Sequence, residues 1–119
     1  MHHMFTAKKS LGQHFLTSKQ VVFDLIRAAE IGADDVVVEV GPGRGFITEE
    51  LVKVAHKVIA VEKDEKMVAF LKDRFAQETL DGKIEIILGD ILSFSISSHK
   101  LASNSYKLVG AIPYYITGK

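Results

Sequence analysis

Residues 36–48 constrain this chain more than any other stretch. Val36 to Val40 is an apolar, β-branched run, the pattern of a strand buried on both faces of a parallel sheet. Gly41, Gly43 and Gly45 follow, with Pro42 and Arg44 between them. Three bare Cα positions so close together let a ligand lie almost against the main chain. Phe46 to Ala55 then carries apolar residues at helical spacing, at Ile47, Leu51, Val54 and Ala55. Strand, glycine turn and helix in that order form the entrance to a nucleotide-type site in a doubly wound α/β sheet.

The rest of the chain repeats the alternation. Thr17 or Ser18 can cap a helix running to about Ala29, with Val22, Leu25, Ile26 and Ala29 on one face and Gly32 at its stop. Lys57–Glu62 reads as a second strand. Asp64 caps a further helix with Met67, Val68, Leu71 and Phe75 inward. Asp81-Gly82 is a turn, Lys83–Leu88 a third strand, and the serine-rich stretch between Ser93 and Ser105 a loop. A fourth strand covers about Lys107–Ile112. Strands alternating with helices predict a mainly parallel sheet with right-handed crossovers.

A length of 119 residues fits one domain, and 47% apolar residues suffice for a core. The absence of cysteine excludes disulfides and thiolate metal sites, and no metal is expected. No apolar run approaches the ~18 residues of a membrane span, and the start of the chain leads into polar sequence rather than a signal peptide. A cytoplasmic protein without membrane contact is expected. The net charge of zero hides an asymmetry. Residues 1–27 carry Lys8, Lys9, Lys19 and Arg27 against Asp24 alone. A basic arm on a neutral body can hold phosphate locally; an ordinary solvated lysine pair is the bland reading of Lys8 and Lys9.

Each strand ends in a residue suited to one part of one ligand. The glycine spacing is G-x-G-x-G rather than the G-x-G-x-x-G of dinucleotide enzymes, and Glu39 stands two residues before the first glycine. Both details favour S-adenosylmethionine (SAM) over NAD. Glu62, 21 residues after Gly41, can accept hydrogen bonds from both ribose hydroxyls. Asp90 can accept from an adenine amino group. After the fourth strand, Pro113 leaves its carbonyl free to accept a hydrogen bond and Tyr114 offers a face for stacking a base. A surface glutamate, a Gly-Asp turn and a core tyrosine are the structural alternatives.

These residues carry a family resemblance. Lys8-Lys9-Ser10-Leu11-Gly12-Gln13-His14-Phe15-Leu16, Glu39-Val40-Gly41-Pro42-Gly43-Arg44-Gly45, Glu62, Gly89-Asp90 and Ile112-Pro113-Tyr114-Tyr115 closely resemble the rRNA adenine N6,N6-dimethyltransferases. The small-subunit, kasugamycin-sensitivity branch is the most similar. The resemblance implies a Rossmann-like SAM-dependent methyltransferase fold with strand order 3-2-1-4 and flanking helices. It also implies methyl transfer from SAM to N6 of adenines in small-subunit rRNA, on immature small ribosomal subunits, with S-adenosylhomocysteine as product. It places His14 and Leu16 at the methionine end of SAM, Gly41, Gly43 and Gly45 along the cofactor, Glu62 on the ribose and Asp90 on the adenine. Position 111, the Pro113 carbonyl and Tyr114 would hold the target adenine, with Ala111 also beside the cofactor. The gain would be positioning, without a covalent intermediate or a metal. Independently of the resemblance, Lys8 and Lys9, on a polar arm ahead of the first helix, are expected to meet RNA phosphate.

The chain departs from the family in two places. Ala111 stands where members usually carry Asn, which removes the side-chain acceptor for N6. Members also continue for roughly as much chain again, with further strands and a helical C-terminal domain. Residues 1–16 are therefore expected to be a basic, cofactor-lining arm, and 17–119 the N-terminal half of a SAM-binding domain with weak or no turnover. The alternative is a SAM-binding or structural module without turnover. A third reading, half of an NAD(P) oxidoreductase, is disfavoured by the glycine spacing. With the sheet ending at the fourth strand, Leu108, Val109 and Ile112 would form an open edge, and a homodimer through that edge is expected.

Overall fold

A computed structural model describes the chain at residues 4–5, 18–93 and 106–110. Its elements run β1 (Met4–Phe5), α1 (Lys19–Ala28), β2 (Val36–Val40), α2 (Phe46–Val54), β3 (Lys57–Glu62), α3 (Glu65–Arg74), α4 (Ala76–Leu80), β4 (Ile84–Leu88) and β5 (Tyr106–Gly110). Every strand pair is parallel and the sheet order is β1-β5-β2-β3-β4. The four strands read from the sequence therefore lie in the expected order, with β2 and β3 central.

β2 and β3 read as apolar runs because both of their faces are covered. One face supplies Val37, Val58, Ala60, Ile84, Ile86 and Val109 to a core closed by Val22, Ile47, Leu51, Val68, Leu71 and Phe75 from the helices. The opposite face buries Val38, Ile59 and Val61, packed with Val36, Ile87, Tyr106 and Leu108. The caps follow local chemistry. Ser18 Oγ accepts from the Val21 N–H, and Asp64 Oδ1 accepts from the N–H groups of Lys66 and Met67. Among the described residues no helix is long and apolar enough to cross a membrane.

The structure corrects four readings. The first 16 residues are not only an arm, since Met4 and Phe5 pair with Leu108 and Val109. At those two positions β5 has a strand on each side, so the open edge invoked for a homodimer is already taken there. The third helix is broken in two: Phe75 leaves helical geometry at φ −108°, ψ 34°, and the short α4 follows. The described part of the fourth strand starts one residue earlier than expected, at Tyr106, and reaches Gly110, in register with Val40.

Candidate functional site

The turn after β2 is built by backbone geometry that glycine alone adopts without strain. Gly41, Gly43 and Gly45 have φ of 66°, 59° and 91°. Its glycine amides are spoken for. The N–H of Gly41 donates to the Val61 carbonyl at 3.0 Å and that of Gly45 to the Pro42 carbonyl at 2.9 Å. The N–H of Gly43 donates to Glu62 Oε1 at 3.2 Å. Two of these glycines serve different ends. A Cβ on Gly43 would meet nothing within 4 Å, so the missing side chain leaves open space. A Cβ on Gly45 would stand 2.6 Å from the Phe75 ring and 3.2 Å from Arg74 Nη1. That bare Cα admits the end of α3 instead. α2 then begins with no side-chain cap on Gly45.

Glu62 ends β3 and is buried, at 7% exposure. Its second oxygen, Oε2, accepts the Asp64 N–H at 2.9 Å. A carboxylate has about four lone-pair sites, so two remain for a ligand. Asp90, in the turn after β4, is exposed; its Oδ1 accepts the Leu92 N–H at 2.9 Å. Gly41, Val61, Glu62, Gly89, Asp90 and Ile91 line one cleft at the carboxyl ends of β2, β3 and β4. Its walls are apolar and its polar groups are chiefly two carboxylates, with Lys63 the one cation among the described lining residues. Such a cleft suits a ligand that presents hydroxyl or amino donors. It does not suit a pyrophosphate.

Glu39 faces the helices rather than the cleft. It is 1% exposed, and it accepts a hydrogen bond from the hydroxyl of Thr48, which is fully buried on α2. Burial pushes its carboxyl up to about 7; the Thr48 hydrogen bond opposes the rise, and the Glu62 charge adds to it.

The structure thus brings together four of the residues singled out in the sequence: Gly41, Gly43, Glu62 and Asp90. Gly45 belongs to the same turn, but its bare side faces Phe75. His14, Leu16, Lys8, Lys9, Ala111, Pro113 and Tyr114 lie outside the described residues. Two residues packed behind the site were not singled out by the sequence. Thr48 had a signal, a polar residue on the apolar face of α2 between Ile47 and Leu51. Arg74 had none; its Nη1 donates to the Arg44 carbonyl, 30 residues away in sequence.

A model of the ribosomal RNA adenine dimethylase family matches residues 4–119. The chain belongs to that family. The ribosomal RNA small subunit methyltransferase A of Dehalococcoides mccartyi is 46% identical over 111 residues, 93% of this chain and 37% of its own length. The protein of the same name from Chlorobium chlorochromatii is 36% identical, covering 98% of this chain and 42% of its own. Among solved structures, the 23S rRNA methyltransferase ErmE superposes with a TM-score of 0.70 at 29% identity, over 84% of this chain and 38% of that one. The chain spans about two-fifths of the length of the curated relatives it matches. Like that solved structure, this dimethylase-family chain has the Rossmann-like fold of SAM-dependent methyltransferases.

Proposed function

We propose that this chain is the SAM-binding portion of an enzyme that dimethylates N6 of adenines in small-subunit rRNA in the cytoplasm. One observation carries the cofactor assignment. Glu62 is held by the backbone N–H groups of Gly43 and Asp64 at the cleft, with lone pairs to spare for a vicinal diol. The open space beside Gly43 and the apolar walls fit the nucleoside half of the cofactor, and the carboxylates suit its cationic sulfonium better than a pyrophosphate. When bound, SAM supplies an electrophilic methyl group. This chain's residues bind and orient: Glu62 the ribose, Asp90 the adenine amino group, the glycine turn the cofactor's length. By the family resemblance, His14 and Leu16 flank the methionine end. Ala111, the Pro113 carbonyl and Tyr114 hold the target base, and Lys8 and Lys9 meet RNA phosphate.

Turnover by the chain alone is weak or absent, because Ala111 offers no side-chain acceptor for N6. A SAM-binding module without turnover is the second reading, and the same alanine favours it. Methyl transfer to immature small ribosomal subunits, assayed for the wild type and Ala111→Asn, separates the two. Gain of activity in Ala111→Asn supports a weakened enzyme, and none in either supports the module. Calorimetry with S-adenosylhomocysteine tests the cofactor itself. Binding by the wild type that is weakened about ten- to a hundredfold by Glu62→Ala supports the assignment; stronger binding of NAD overturns it. A homodimer through β5 would require β1 to move, and exchange of β1 between copies would keep the pairs Met4–Leu108 and Phe5–Val109. Sedimentation as a monomer at high concentration would rule it out.

A further inference from the structure

We propose that Arg74 is a positioning residue for the cofactor site, holding the glycine turn in its binding geometry from the end of α3. The proposal rests on the cofactor reading above. The peptide unit joining Arg44 to Gly45 is pinned at both polar ends. Its N–H donates to the Pro42 carbonyl at 2.9 Å, and its carbonyl accepts from Arg74 Nη1. Glycines at φ 59° and 91° flank Arg44, and glycine moves between backbone regions with little steric barrier. Rotation of this peptide is therefore the soft motion of the turn, and among the described residues Arg74 is the side chain hydrogen-bonded to oppose it.

Arg74 is itself fixed on three sides. Its Nη2 donates to Glu49 Oε1 on α2 at 2.8 Å, and its guanidinium lies 5.0 Å from the centre of the Phe75 ring. Phe75 is buried, at 3% exposure, and stands against Gly45. A planar guanidinium can serve two acceptors at once while stacking on a ring, which an ammonium cannot do. The ion pair to Glu49 is partly exposed, 32% and 41% for the two side chains, so as charge alone it contributes little. The consequence runs through the turn. Gly43, two residues before Gly45, donates to Glu62, the carboxylate assigned to the ribose. A turn that rotates at 44–45 disturbs that donor and the space beside it.

The test compares Arg74→Ala, Arg74→Lys and Glu49→Gln. Two readouts are taken well below each variant's melting temperature: calorimetric affinity for S-adenosylhomocysteine, and amide exchange at Gly43 and Gly45. Arg74→Ala should weaken binding about tenfold, the loss expected for a charge-assisted hydrogen bond. It should also speed exchange at both glycines about tenfold. Arg74→Lys should recover only part of each. Glu49→Gln loses the same ion pair but keeps the bond to the Arg44 carbonyl, so its affinity and exchange should stay within about twofold of wild type. A folded Arg74→Ala with wild-type affinity and exchange overturns the proposal. So does a Glu49→Gln that loses as much as Arg74→Ala, since the ion pair would then be what matters. If Arg74→Ala does not fold, Arg74→Lys against Glu49→Gln decides by the same criteria. If the wild type does not bind S-adenosylhomocysteine, the cofactor reading fails, while exchange at Gly43 and Gly45 still shows whether Arg74 holds the turn.

Discussion

Glu39 and Glu62 sit on neighbouring strands, both buried, and the protein solvates them in different ways. Glu39 lies within β2, paired in register with Ala60, and its hydrogen-bond partner among the described residues is one side-chain hydroxyl. Glu62 is the last residue of β3 and is held by two backbone N–H groups, from Gly43 and Asp64. Backbone donors at the carboxyl end of a sheet are fixed by the fold, and they leave the carboxylate's other lone pairs facing the cleft. A lone hydroxyl in the interior does not offset desolvation, so Glu39 is pushed up to about 7. A buried carboxylate at a strand end keeps lone pairs open to a ligand, whereas one that the core closes around becomes a proton holder.

The largest effect should come from Glu39→Gln. With its carboxyl at about 7 instead of 4.5, the folded chain keeps a proton that the unfolded chain releases. More protons in the folded state means that stability falls as pH rises between those values. The total is about 3 kcal/mol. Glu39→Gln should flatten that fall. It should match the wild type near pH 4.5 and exceed it above pH 7, by up to about 3 kcal/mol. Urea unfolding at pH 5 and pH 8 measures this, and identical slopes in the two proteins would break the contrast.

Glu62→Ala should weaken S-adenosylhomocysteine binding by roughly 1.5–3 kcal/mol, about ten- to a hundredfold. Glu39→Gln should leave affinity near wild type. Equal losses in calorimetry would mean that both carboxylates belong to the ligand site.

Thr48→Val keeps the shape of the side chain and removes the donor to Glu39. It should cost about 1–2 kcal/mol at pH 8, where Glu39 is charged, and less at pH 5, with Thr48→Ser restoring most of it. A loss independent of pH in thermal unfolding would show that packing, not the hydrogen bond, is what Thr48 supplies. The smallest effect should be that of Asp64→Ala. It removes the α3 cap and costs about 1 kcal/mol of stability. Affinity should change less than about twofold, because Asp64 reaches Glu62 through its backbone N–H. A large affinity loss would place the Asp64 side chain in the site.

Much of this was legible along the chain. The runs Val36–Val40 and Lys57–Glu62, the glycine turn and the Asp64 cap depend on residues within a few positions of one another, so local pattern and turn chemistry determine them. Glu62 was legible as well, because a carboxylate that ends an apolar strand has to lie at the sheet's carboxyl edge. β1 was not, since two residues carry no readable period and become a strand only where β5 offers an unpaired edge. Tertiary packing alone decided that Glu39 faces a helix hydroxyl, that Gly43 leaves open space while Gly45 meets Phe75, and that Arg74 reaches back to the Arg44 carbonyl. Those contacts join residues up to 30 positions apart, and their geometry exists only once α2 and α3 have docked on the same face of the sheet.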